Sequence, residues 1–388
     1  MGMKKIFYIL LASLLIFMNI AVGSPNMISL IDEKGNIKEQ INPDEIFIQT
    51  DASFLPSTIK SNTIDYDSLL KTAQNTLNYL NKPQKDDPFI FQDGVLGTLG
   101  ITLEDVKNTL DFIIKTIEDD KKNNIKPRLL NTEFIKNNFK IIRWYAYGKE
   151  KYNIKTTGKN IRLTKYVVYT ITGSNVKTNE FNCALYSMPQ DETGLTLAEA
   201  DKQKDTLLRY KYTKQDVLSG VYEKDGESEG KATPIVWLTR EGIEEAIMEG
   251  TVKVKFDDGS SFFYNVDRNN GISYDRSIKN PRLQKRYWYF RKVENLKGYG
   301  KEIPSKITIY PKVTFAGDVY NLGLGKFILL KYSNDKFIPG IIADTGGAFI
   351  PNLYQLDFLS GVFNSKKEFL NYIKTLPSEA EAYILIKA

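Results

Sequence analysis

Histidine is absent from all 388 residues, and cysteine occurs once, at Cys183. The first absence excludes Ser-His and Cys-His nucleophilic machinery and removes the commonest zinc ligand. General acid–base work must then fall to Asp, Glu, Tyr or Lys. The second absence excludes an internal disulfide. Neither a metal nor a cofactor is expected. There is no internal repeat, no low-complexity tract and little net charge: 53 Lys+Arg stand against 47 Asp+Glu, a balance of +6. So mild an excess suits a polyanionic cell wall and gives no reason to expect nucleic acid.

Long apolar runs are also missing, except at the N-terminus. Lys4 and Lys5 precede a nearly unbroken apolar stretch from Ile6 to Met18, and Ala21-Val22-Gly23 supplies small residues. This is the pattern of a secretory signal over residues 1–23, with cleavage expected before Ser24. The stretch is shorter than the roughly 20 residues of a spanning helix. No cysteine follows it, so no lipid anchor is expected. The protein is expected to be exported to the periplasm or cell envelope.

The remaining length suggests two domains. Residues 24–60 are polar and weakly patterned and read as a flexible lead-in. Three amphipathic helices are predicted next. The first spans about Tyr66 to Leu80. The second opens at the capping box Thr102-x-x-Asp105. The third starts near Asn131, with Phe134, Ile135, Phe139 and Ile142 on its apolar face. From about Ile161 short alternating runs predict strands, among them 166–169, 251–256 and 261–264. Asp258-Gly259 marks a hairpin turn between the last two. Strands are also expected at 326–332, 340–343 and 382–386, and a helix from Ser365-x-x-Glu368 to just before Pro377. The fold class is α+β and mostly β, with helices grouped toward the N-terminus.

The segment Ile341-Ile342-Ala343-Asp344-Thr345-Gly346-Gly347-Ala348 ends an apolar run on a carboxylate, and Leu356-Asp357-Phe358 sets a second carboxylate inside another. Buried carboxylates are costly unless paired or hydrogen-bonded, so such positions usually have a role. Asp-Thr-Gly after apolar residues is the local pattern of an aspartic protease loop. That chemistry needs two carboxylates sharing a proton, and no second Asp-Thr-Gly or Asp-Ser-Gly is present.

A second reading covers more of the chain. Asp344-Thr345-Gly346-Gly347-Ala348 with Asp357 and Gly361, preceded by Asp318 in Ala316-Gly317-Asp318-Val319-Tyr320-Asn321-Leu322-Gly323, resembles the three-aspartate "3D" domain. That domain is the catalytic barrel of the membrane-bound lytic murein transglycosylase A family. Thr164-Lys165-Tyr166, Gly173-Ser174, Leu185-Tyr186-Ser187-Met188-Pro189, Asp258-Gly259 and Asn270-Gly271 are similar to further family motifs, in order. The resemblance implies a double-psi β-barrel and helical region over 61–172 plus 288–388. A smaller β domain inserted at 173–287 forms the other wall of a glycan groove. It implies cleavage of the MurNAc–GlcNAc β-1,4 bond of peptidoglycan, leaving a 1,6-anhydro sugar, by a monomer. Asp357 takes the place of the catalytic acid and base, with Asp344 and Asp318 as supporting carboxylates. Thr164, Tyr166, Thr345, Gly346, Gly347 and Tyr186 are the substrate-binding candidates. Ile350-Pro351 replaces a Lys-Gly pair usual in the family. A non-catalytic wall-binding protein on the same fold is therefore the alternative.

Overall fold

The computed structural model describes residues 27–388, apart from 57–58, 62–63, 83–84, 86, 276, 334, 348 and 350. The expected signal segment lies outside the described residues. In chain order the strands are β1 (Ile28–Ile31), β2 (Ile37–Ile41), β3 (Phe47–Thr50), β4 (Phe139–Trp144), β5 (Ile161–Ser174), β6 (Cys183–Tyr186), β7 (Pro234–Leu238), β8 (Thr251–Lys255), β9 (Ser261–Asn269), β10 (Trp288–Val293), β11 (Thr314–Ala316), β12 (Phe327–Lys331), β13 (Phe337–Asp344), β14 (Gln355–Phe363) and β15 (Glu379–Lys387). The helices are α1 (Tyr66–Asn81), α2 (Leu103–Lys122), α3 (Thr132–Asn138), α4 (Leu197–Lys202), α5 (Leu208–Lys211), α6 (Lys214–Leu218), α7 (Arg240–Glu249) and α8 (Lys366–Ile373). The composition is mixed and mostly sheet.

Six strands close on themselves in the order β5, β14, β11, β13, β12, β15 and back to β5. The pairs β14–β5 and β11–β13 are parallel and the others antiparallel. Closure buries both faces, which is why β12 and β13 read as continuous apolar runs rather than alternating ones. One face meets the interior of the ring. The other is covered by α1 and α2, whose apolar stripes pack on β13 and β15. Leu69 and Ala73 of α1 and Val106, Leu110, Ile113 and Ile117 of α2 are fully buried there. The α2 capping box forms as expected: the Asp105 N–H donates to the Thr102 hydroxyl at 3.2 Å, and the Thr102 N–H to the Asp105 carboxylate at 2.8 Å.

Three expectations need correction. Residues 24–60 are not a flexible lead-in over their described part: 28–50 carry β1, β2 and β3, and β3 extends the large sheet by pairing with β4. Asn321 clamps β1 in place, accepting from the Ile31 N–H at 2.8 Å and donating to its C=O at 2.9 Å. The third helix stops at Asn138, and Phe139 and Ile142 lie on β4, paired with β15. An open sheet edge and an aromatic, β-branched run outweigh local helical periodicity there. Helices are not confined to the N-terminal part, since α4 to α7 lie between β6 and β8. Two of them, α4 and α6, open at their own capping boxes, Thr196 with Glu199 and Thr213 with Asp216.

A second hydrophobic core spans 183–290 and includes Leu185, Leu238, Ile243, Val254, Tyr287 and Phe290. The 14-residue strand β5 joins it to the ring. Its first half pairs with β14, and its second half pairs with β8 and β7. A continuous strand, not a loop, sets the two cores against each other.

Candidate active site

Three adjacent strands of the ring bring two carboxylates into one row. Ala316 on β11 lies opposite Asp344 of β13 on one side and opposite Asp357 of β14 on the other. Directly paired residues point to one face of a sheet. Both carboxylates therefore leave it on the same side, their Cα atoms roughly 10 Å apart, two strand spacings. A register break between Phe315 and Ala316 is what sets Asp344, rather than Ala343, in this row. Bulges of this kind re-aim a side chain. On the far side of β14, Thr164 of β5 stands opposite Asp357, and Tyr166 opposite Leu359. The period of two along β5 puts Thr164 and Tyr166 on the same face.

A cavity of about 520 Å³ lies over this row. Its floor is the ring: Tyr166, Ala316, Asp344, Thr345, Gly346 and Asp357. Its opposite wall comes from the second core, through Glu249, Thr251, Asn265 and Trp288, and from the segment after β10, through Lys297, Lys301 and Lys306. Asp344 accepts from the Tyr166 hydroxyl at 2.9 Å and from the Thr345 N–H at 2.8 Å. Burial nonetheless pushes its carboxyl up to about 6, against the pull of those donors and of Lys306. Burial also pushes Asp357 up to about 6. Thr164 draws it down, and the charge of Asp344 drives it up. The Oδ1 atom of Asp357 is buried and has no hydrogen-bond partner among the described residues. An acid so placed keeps its proton to a higher pH than an ordinary aspartate, and it has an oxygen free to use.

Asp318 differs. It is 1% exposed and does not line the cavity. Its carboxylate accepts from the Asn321 N–H at 3.0 Å, the Asn321 side-chain amide at 2.8 Å and the Asn352 N–H at 2.8 Å. It ties the turn at 319–323 to the chain just before β14.

A family model described as the MltA specific insert domain matches residues 162–296. The membrane-bound lytic murein transglycosylase of Agrobacterium tumefaciens superposes with a TM-score of 0.58 at 14% identity, over 88% of this chain and 98% of that one. MltA of Neisseria gonorrhoeae superposes with 0.56 at 13% identity, over 88% and 92%. This chain has the MltA fold. MltA of E. coli, in a structure with bound chitohexaose, superposes with 0.55 at 12% identity, over 88% and 95%. A comparison with curated protein sequences finds no match.

Within the MltA fold, Tyr166, Thr345 and Gly346 line the cavity with Asp344 and Asp357, and Thr164 adjoins Asp357 in register. Tyr186 does not reach it. It is 1% exposed inside the second core, 5.2 Å from the ring of Tyr222, because β6 is covered on both faces. The glycine pair also departs from expectation. Neither Gly346 nor Gly347 has a left-handed φ, and among the described residues a Cβ on Gly347 would meet nothing within 4 Å.

Sequence reasoning missed the opposite wall. Glu249 ends α7, keeps solvent access, and is raised by the surrounding protein and by the charge of Asp357. Trp288 and the three lysines were also missed. Their sole sequence signal is Lys297, Lys301 and Lys306 recurring within ten residues, which alone reads as a solvated charge run. Among the described residues no group of acids and cysteine is arranged to hold a metal ion, and no helix is long and apolar enough to cross a membrane.

Proposed function

We propose that the protein is a peptidoglycan lytic transglycosylase acting on the MurNAc–GlcNAc β-1,4 bond, with Asp357 as general acid and then base. The observation that carries this reading is the unpartnered, buried oxygen of Asp357 on the floor of a cleft of about 520 Å³ between the two cores. The structural neighbours of the same fold include a lytic murein transglycosylase and an MltA that holds a glycan chain. We read the closed six-strand ring as a double-psi barrel, and the body around 173–287 as the inserted domain forming the other wall of the groove.

The chemistry follows from the acid's surroundings. Protonated Asp357 gives its proton to the glycosidic oxygen as the C1–O bond breaks. The carboxylate left behind is again costly in its buried setting, so it is a competent base. It takes the proton of the substrate's own C6 hydroxyl as O6 closes on C1. The acid is regenerated and no water is consumed. One carboxyl suffices where an ordinary glycosidase needs two. Asp344, held by Tyr166 and Thr345, sets the field around it. Action as a monomer in the cell envelope completes the reading.

Mass analysis of peptidoglycan digested by the purified protein tests the proposal. Products ending in 1,6-anhydroMurNAc, one water lighter than hydrolysis products, are expected. Reducing MurNAc ends would mean a hydrolase. Retention on insoluble peptidoglycan without cleavage would make the protein a wall-binding module.

A further inference from the structure

The wall facing the carboxylates is cationic, and it is rigid. Residues 297–308 fold back as a hairpin: the Gly298 N–H donates to the Ile307 C=O at 2.8 Å, and the Ile307 N–H to the Tyr299 C=O at 2.8 Å. The hairpin is fastened to the strand that carries Asp344, since the Tyr299 N–H donates to the Ala343 C=O at 2.9 Å. Only glycine fits beside that junction. A Cβ on Gly298 would stand 2.5 Å from the Ala343 oxygen. The three lysines of this segment are thus held at fixed positions over the catalytic row.

They are not equivalent. Lys301 is already engaged, donating to the Tyr320 hydroxyl at 2.9 Å and lying 3.6 Å from buried Asp87. Lys297 and Lys306 form no ion pair among the described residues. Lys297 donates to the Thr308 hydroxyl at 2.9 Å, and Lys306 reaches only the Asn265 side-chain oxygen, at 3.3 Å. Lys306 is largely enclosed by protein, which disfavours its charge, while Asp344, Asp267 and Glu302 favour it. A cation kept in a cleft on one long hydrogen bond is poorly satisfied without an anionic ligand.

We propose that Lys306, with Lys297 beside it, binds a carboxylate carried by the glycan substrate and so selects muramyl strands over neutral amino-sugar polymers. This rests on the glycan-cleaving reading above and adds a specificity determinant to it. Two sources supply the carboxylate: the free lactyl group of strands stripped of peptide, and the stem peptide of intact strands. An ammonium serves either.

The test compares three ligands with the purified full chain: peptide-free muramyl strands, peptide-bearing strands, and chitohexaose. Lys306→Met should raise KM about tenfold or more on carboxylate-bearing strands, change kcat less, and leave the binding of chitohexaose, read as inhibition of strand cleavage, unaltered. Lys306→Arg should recover part of the loss. An effect confined to peptide-free strands assigns the lactyl carboxylate, and one confined to peptide-bearing strands assigns the stem peptide. Equal effects on all three ligands, or none, would overturn the proposal. Should the wild type cleave nothing, the catalytic reading fails, and retention of the same three ligands then decides. Salt-sensitive retention of muramyl strands but not chitohexaose, lost in Lys306→Met, would still support carboxylate recognition. Retention unchanged in Lys306→Met would reject it.

Discussion

At the scale of single residues, the site turns on carboxylates held against their ordinary chemistry. Asp357 and Asp344 are both raised from 3.8 to about 6 by burial. A raised carboxyl favours the folded state fully below its unfolded value and loses that contribution as pH climbs through the folded one. Replacing Asp357 with Asn should therefore raise Tm by a few degrees at pH 7.5 and leave it unchanged near pH 4. The same variant should lose cleavage by at least the upper part of the ~10²–10⁴-fold range of general acid–base terms, because the proposed mechanism uses the one group in both steps. Asp344→Asn should cost less, since its amide oxygen can still accept from Tyr166. Wild-type kcat/KM should fall as pH rises through about 6, as Asp357 loses its proton. Digestion rates and thermal scans across pH 4–8 check both. Asp318 answers to a different measurement. Its three accepted hydrogen bonds are buried, so Asp318→Ala should cost roughly 3 kcal/mol or more in denaturant unfolding.

At the scale of elements, strand register does the positioning. A single break in the β11–β13 ladder aligns Asp344 with Ala316, and the antiparallel β11–β14 pairing aligns Asp357 with the same residue. The hairpin 297–308 is then set against the end of β13 by a contact that only glycine permits. Gly298→Ala would force its new methyl to within 2.5 Å of a backbone oxygen and 2.7 Å of Ile309, so the hairpin must shift. The expected outcome is a loss of roughly 1–3 kcal/mol with a disproportionate loss of activity, because Lys306 and Tyr299 move with it. A variant with wild-type kinetics would show that the lysine wall needs no fixed placement.

For the whole molecule, the described N-terminal strands belong to the structure they precede. Leu30, Ile41 and Phe47 are at most 2% exposed, and β3 covers the free edge of β4. Removing residues up to 50 should expose that edge and the clamp at Asn321. Thermal unfolding should show a clear drop in Tm, and light scattering should show association through the bared strand. An unchanged Tm would mean that β1 to β3 contribute no stability. The two cores are linked through β5 and by Arg268 of β9, which meets Glu302 at 3.0 Å and Glu192 at 3.4 Å.

The sequence by itself determined much of the local structure. Caps and 3.6-residue stripes gave α1 and α2, Asp258-Gly259 gave the β8–β9 turn, and apolar runs ending in carboxylates marked Asp344 and Asp357. These are signals between neighbours in the chain, where side-chain period and terminal hydrogen bonds act. The boxes at Thr196 and Thr213 are equally local signals, opening α4 and α6. Tertiary structure alone decided the rest. Phe139 and Ile142 became strand because β15 offered an unpaired edge. Tyr186 sank into a core because both faces of its short strand are covered. The β1–β3 region is held by partners far along the chain: Asn321, about 290 residues away, bonds Ile31 of β1, and β3 pairs with β4. The cationic wall follows the same logic: three lysines that read as a solvated run come to line the cavity only once a hairpin, one glycine and the end of β13 bring them over the acids. No local pattern encodes that approach, since its energy comes from contacts between segments that the chain keeps apart.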